Sequence, residues 1–117
     1  MFGTLCRVEI RHERGFPVAG LDGEVDISNV DSVEKELEAL SSARDPRCVV
    51  DLSRVEYFDS AGIRLLFSLD MRLRTRRQEL HVIVPEGSVI ARVLEISDFA
   101  RVVPVHRSLD AFLRTAS

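Results

Sequence analysis

Asp59-Ser60-Ala61-Gly62 joins two apolar runs of different period. Before it, Cys48-Val49-Val50-Asp51-Leu52 is short and β-branched, the pattern of a central strand. After it, a helical pattern runs from about Ala61 to Thr75. A serine at such a junction has three uses. It can cap the helix by accepting a backbone N–H from the first turn, the commonest use of serine in that place. It can be a nucleophile, given a base and an orienting acid. It can carry a phosphate, which adds about -1.5 to -2 charge at pH 7.

The flanking residues weigh against the nucleophile. The pentapeptide around a hydrolase serine is Gly-x-Ser-x-Gly, and Phe58 occupies the first glycine position. His12, His81 and His106 all lie in or beside strand patterns, and no neighbour marks any of them as a base. No catalytic residue is assigned. A phosphate would gain about 1 kcal/mol from the helix N-terminus, while adjacent Asp59 would oppose it.

Taken at about 100° per residue, the helix after the junction carries two apolar stripes. Gly62, Leu65, Leu66, Leu69 and Leu73 form the core stripe. Ile63, Phe67 and Met71 fall about 145° away by the same arithmetic, beside Arg64, Ser68 and Arg74. One apolar stripe suffices for a surface helix. The second either packs on a neighbouring helix or docks a partner. A dianion on Ser60 would border it.

Upstream, Val8-Glu9-Ile10-Arg11-His12 alternates as a half-buried strand, and Phe16 to Leu21 pairs with it as a hairpin turned at Gly15 and Pro17. Gly23-Glu24-Val25-Asp26 follows. Asp31 or Ser32 then caps a helix through Leu40, with Val33, Leu37 and Leu40 at helical spacing. Arg44-Asp45-Pro46 is a break. Downstream, Leu80 to Val84 reads as a strand, Ser88 to Ile96 as a helix, Val102 to Val105 as a strand and Ser108 to Leu113 as a helix. The order β-β-α-β-α-β-α-β-α predicts an α/β fold. It is a mixed sheet of about five strands with about four helices packed on it.

The chain has 117 residues and reads as one domain, 1–117. Such a length buries roughly two-thirds of the surface its unfolded form exposes. A net charge of -3 argues against general binding of nucleic acid or anionic membrane. Arg72, Arg74, Arg76 and Arg77 are read as cations at a helix C-terminus, and Glu34, Glu36 and Glu38 as a solvated helix face. No apolar run approaches the ~20 residues that cross a bilayer, and Met1-Phe2-Gly3-Thr4 begins no signal peptide. Cys6 and Cys48 are expected to be free thiols, in keeping with a cytoplasmic setting. No metal or cofactor is called for, and no Gly-x-x-x-x-Gly-Lys loop is present to bind ATP.

Asp59-Ser60-Ala61-Gly62, with Val50-Asp51-Leu52-Ser53 and Val55-Glu56-Tyr57-Phe58 before it, resembles the signature of STAS domains, above all those of bacterial anti-sigma-factor antagonists. Gly23-Glu24-Val25-Asp26 and the Ser88-to-Ser97 segment match in register, so the resemblance spans nearly the whole chain. It implies a STAS-type fold without enzymatic activity. It implies that Ser60 is phosphorylated by an anti-sigma factor serine kinase and reset by a serine phosphatase. It further implies that the unphosphorylated form binds the anti-sigma factor and frees the sigma factor. Carried over by position, Asp26 lies near Ser60 and helps form the phosphorylation and binding site. Asp59 is expected to shape that pocket with it, and Ala61, Gly62, Ile63, Arg64 and Phe67 to complete the partner-binding surface. Three positions depart from the pattern: Arg64, Arg77-Gln78 and Asp98 stand where small residues or glycine are usual. Two other readings stay open: a STAS scaffold that is never phosphorylated, such as a subunit of a lipid-transport or signalling complex, and a module that binds a small ligand or nucleotide.

Overall fold

The structure is a computed structural model and describes residues 5–116. It contains β1 (Cys6–Glu13), β2 (Phe16–Val25), α1 (Val30–Leu37), β3 (Arg47–Phe58), α2 (Ser60–Thr75), β4 (Glu79–Ile83), α3 (Val89–Ile96), β5 (Val105–His106) and α4 (Leu109–Ala116). Short 3-10 turns cover Glu38–Ser42 and Phe99–Arg101. The α/β order expected from the sequence is the order found.

The strands lie in sequence order, β1 antiparallel to β2 and the others parallel. Each parallel crossover steps one strand in the same direction. Right-handed connections then place all crossover helices on one face. Accordingly α1, α2 and α3 share one core with Ala19, Leu21, Val50, Leu52 and Val82. The alternate residues Val18, Val49 and Ile83 face the other way and pack with Phe16 under Phe112 and Leu113 of α4. Three helices on one side and one on the other complete the layers.

Several element bounds differ from expectation for local reasons. β2 runs on to Val25 and β3 to Phe58, because Asp22 to Val25 pair with Arg54 to Phe58 after the apolar pattern has faded. Helix α1 starts at Val30, not after Asp31 or Ser32, and gives way to a 3-10 turn at Glu38. Its N-cap, Asn29, makes no side-chain cap bond; its amide instead donates to Glu24 O at 2.8 Å and accepts from Asp26 N–H at 3.0 Å. β5 is two residues long, not four. Pro104 has no N–H to offer a ladder, although its carbonyl accepts from Val82 N–H at 3.0 Å. Ser108 caps α4, accepting from Ala111 N–H at 3.0 Å, and the helix extends to Ala116.

The glycine replacements leave a mark on the backbone. Arg77 and Asp98 both adopt left-handed conformations, with φ of 60° and 57°. At Arg77 the helix closes as a Schellman motif, Gln78 N–H donating to Leu73 O at 2.8 Å. A side chain in that conformation costs about 1 kcal/mol.

Beneath α4 lies a histidine pair. His81 Nδ1 and His106 Nε2 are 3.0 Å apart, and His81 Nε2 is 2.6 Å from Glu79 Oε1. His81 thus bridges Glu79 and His106 through its two ring nitrogens, the tautomers deciding which ring donates between the histidines. Phe112 lies 5.0 Å from the His81 ring and 5.3 Å from that of His106. Burial, and then the neighbouring His81, lower the His106 pKa from its ordinary 6.5. The unfolded chain therefore binds more protons than the folded one just below pH 6.5, so stability rises with pH there and holds above it. Acid removes this contribution as pH falls from 6.5 through the folded value. Denaturant midpoints taken between about pH 5 and about pH 7.5 should show that rise, and His106→Gln should flatten it.

Candidate functional site at the β3–α2 junction

The site forms where two parallel strands end side by side. Val25 of β2 pairs with Phe58 of β3, and Asp59 N–H donates to Val25 O at 3.4 Å. Asp26 and Asp59 thus leave the sheet from adjacent strand ends, the usual place for function in a parallel sheet. Asp26 Oδ1 accepts from Ser28 N–H at 2.8 Å and from Ser28 Oγ at 2.6 Å. Asp26 thereby shapes the β2–α1 loop.

Asp59, not Ser60, is the N-cap. Its Oδ1 accepts from Ala61 N–H at 2.8 Å, and its carbonyl accepts from Ile63 N–H at 3.2 Å. The capping use of Ser60 is therefore taken by its neighbour. Ser60 is the first residue of α2, exposed, and its hydroxyl makes no hydrogen bond with a described residue. The nucleophile reading also lacks its parts. His81 and His106 are packed together under α4, across the sheet from α2. His12 pairs with Pro17, at the opposite end of β2 from Val25.

Ala61 and Gly62 face inward and are buried. A Cβ on Gly62 would come within 2.7 to 2.8 Å of three atoms of the Phe58 ring. The glycine lets the first turn of α2 sit directly on that ring. Ile63 and Phe67 are half-buried, and the Phe67 ring meets Phe99 edge-on at 5.1 Å. Between α2 and α3 an open groove of about 450 Å³ remains, lined by Ser60, Ile63, Phe67, Val93 and Ile96, with Asp59, Arg64 and Ser97. The second stripe thus packs in part, Phe67 against Phe99, and in part stays open, with Ile63 and Phe67 lining the groove. Met71 is 69% exposed and lies outside it.

Val93 and Ile96 were not among the residues singled out from sequence. Their signal was present: Val89-Ile90-Ala91-Arg92-Val93-Leu94-Glu95-Ile96 is more apolar than the core requires. Only Ile90 and Leu94 are buried, and Ile96 is 79% exposed.

The charges sort into structural pairs. Arg72 reaches Glu34 at 2.9 Å and Glu38 at 3.2 Å, tying α2 to α1 and its following turn, so Glu34 and Glu38 are not simply solvated. Arg74 binds buried Asp70 at 2.9 Å. A polar hollow of about 410 Å³ on the α4 side of the sheet is lined by Arg7, Glu9, Arg11, Asp22, Asp51 and Arg54. There Arg11 pairs with Asp51 at 3.3 Å and Arg54 with Asp22 at 4.0 Å, leaving balanced charge. Cys6 and Cys48 are free thiols, and burial pushes the Cys48 thiol up to about 11. Among the described residues no cluster of three metal-ligating side chains occurs. No helix there is long and apolar enough to cross a membrane.

Comparison with known proteins agrees with this geometry. The family model described as Mlab, STAS domain matches residues 8–104. BtrV of Bordetella bronchiseptica, whose assignment as an anti-sigma factor antagonist is itself provisional, is 35% identical over 97 residues, 83% of each chain. An anti-sigma factor antagonist from Mycobacterium paratuberculosis superposes with a TM-score of 0.84 at 22% identity, over 95% of this chain and 93% of that one. SpoIIAA in its unphosphorylated form superposes at 0.71 and 17% identity, over 94% and 96%. The phosphorylated form of Bacillus SpoIIAA superposes at 0.63 and 18%, over 93% and 99%. The structural likenesses establish the fold, and the family match with the BtrV alignment establishes the lineage: the chain belongs to the STAS domain family, by homology with anti-sigma factor antagonists.

Proposed function

We propose that this protein is an anti-sigma factor antagonist whose binding is switched at Ser60. The unphosphorylated chain docks an anti-sigma factor serine kinase against the α2–α3 groove, and the sigma factor is released. The kinase transfers the γ-phosphoryl group of ATP to Ser60 Oγ. The Oγ–P bond forms as the bond to the β-phosphate's bridging oxygen breaks, leaving ADP and a proton. A dianion at the rim of an apolar groove then opposes docking, and a serine phosphatase restores the hydroxyl. The setting is cytoplasmic, without direct binding of nucleic acid or membrane insertion.

One observation carries this reading. The Ser60 hydroxyl is exposed and uncommitted at the edge of a groove lined by Ile63, Phe67, Val93 and Ile96. Asp59 and Arg64 border the same groove. Asp26, Ala61 and Gly62 support the junction from beneath and beside. The alignment with BtrV favours the same function by descent. The test is phosphate transfer from the cognate kinase and ATP. Wild type should accept one phosphate and Ser60→Ala none; equal labelling of the two would refute the assignment.

A further inference from the structure

Arg64 is a charge without an evident task. It is exposed and, among the described residues, has neither an ion pair nor a side-chain hydrogen bond. The carboxylates around it are mostly engaged. Glu34 shares the groove between α1 and α2 with Arg64, but it accepts from Arg72 at 2.9 Å and from Ser68 Oγ at 3.1 Å. Asp59 Oδ1 holds the Ala61 N–H at 2.8 Å. Asp31, exposed in the α1–α2 groove, is the remaining acid beside Arg64.

Ser60 and Arg64 stand four residues apart on α2, and both line the α2–α3 groove. Helix geometry puts Cβ atoms at that spacing about 5–6 Å apart, within reach of a guanidinium and a phosphate. The first-turn N–H groups contribute less, because the Ala61 N–H is already taken by Asp59. Resting on the Ser60 reading above, we propose that Arg64 binds the phosphate when Ser60 carries one. The two form a charge-assisted pair within this chain. The pair offsets the repulsion from Asp59, keeps the phosphate dianionic near neutral pH and draws Arg64 to the N-terminal rim of the groove. Lysine would supply the charge without the fork of parallel donors.

The test needs no kinase. Phosphoserine is installed at position 60 during translation, in wild type, Arg64→Gln and Arg64→Lys, and its second ionisation is followed by phosphorus NMR. In low salt the wild-type phosphate should titrate about 0.5 pH unit below that of Arg64→Gln, with Arg64→Lys between them. The gap should shrink in about 1 M salt. Indistinguishable titrations of wild type and Arg64→Gln would overturn the pairing and leave the switch at Ser60 standing. Failure of the kinase to modify Ser60 would remove the switch without altering this titration. Amide spectra of each variant check that the exposed substitution leaves the fold intact.

Discussion

Gly62→Ala should destabilise the domain by roughly 2 kcal/mol, against the ordinary trend for helices. In an exposed helix interior, alanine gains about 1 kcal/mol over glycine. Here the new methyl would lie 2.7 to 2.8 Å from three atoms of the Phe58 ring, which is only 4% exposed. Either the ring leaves its place among the core residues or the first turn of α2 lifts. Overpacking costs about 1–3 kcal/mol and occasionally more; three contacts under 3 Å to a buried ring put this case at about 3 kcal/mol, which leaves a net loss of roughly 2 after the propensity gain. Thermal unfolding should show a fall of about 5–15 °C. A double-mutant cycle identifies the cause: with Phe58→Leu already in place, adding Gly62→Ala should cost much less. An unchanged penalty would place the strain elsewhere.

Ile96→Glu should weaken binding of the anti-sigma factor by about 2–4 kcal/mol, roughly 30- to 1,000-fold, and leave stability within about 0.5 kcal/mol of wild type. Ile96 is 79% exposed, so the free protein loses little packing. In the complex a carboxylate would be taken out of water against the apolar side chains of Ile63 and Phe67. Titration calorimetry and a denaturant melt of the same sample separate the two effects. Unaltered affinity would move the docking surface off the α2–α3 groove. Phe67→Asp, which reaches the same groove, is a poorer probe. Its ring is half-buried against fully buried Phe99, so binding and folding would fail together.

The alternation of strands and helices was legible because each crossover helix carries a core stripe and the middle of β3 and of β4 is a short apolar run with β-branched residues. The junction was legible for the same reason: the period changes at Asp59. Which of two adjacent capping residues closes the helix was not, since Asp59 and Ser60 are both good caps and differ by one position. That single step frees the serine. The N-terminus of α1 was misplaced because the side chain of Asn29 serves Glu24 and Asp26 across a loop, a use that no local pattern records. β5 was overextended because Val102 to Val105 looks like a strand until Pro104 is weighed as a missing donor. The α3 wall of the groove was overlooked because a second apolar face on a short helix acquires meaning only when that helix lies beside α2. The tight seat of Gly62 on Phe58 likewise depends on how closely helix and strand end approach.

The division of labour between Asp59 and Ser60 has a mechanical consequence. Because the helix is fastened by the aspartate, chemistry on the serine need not unfasten it. A group added at Ser60 meets a rigid scaffold whose backbone has no reason to rearrange. On the reading proposed for Ser60, the message would be written in charge, with the Arg64 side chain drawn toward it, rather than in the fold of the helix.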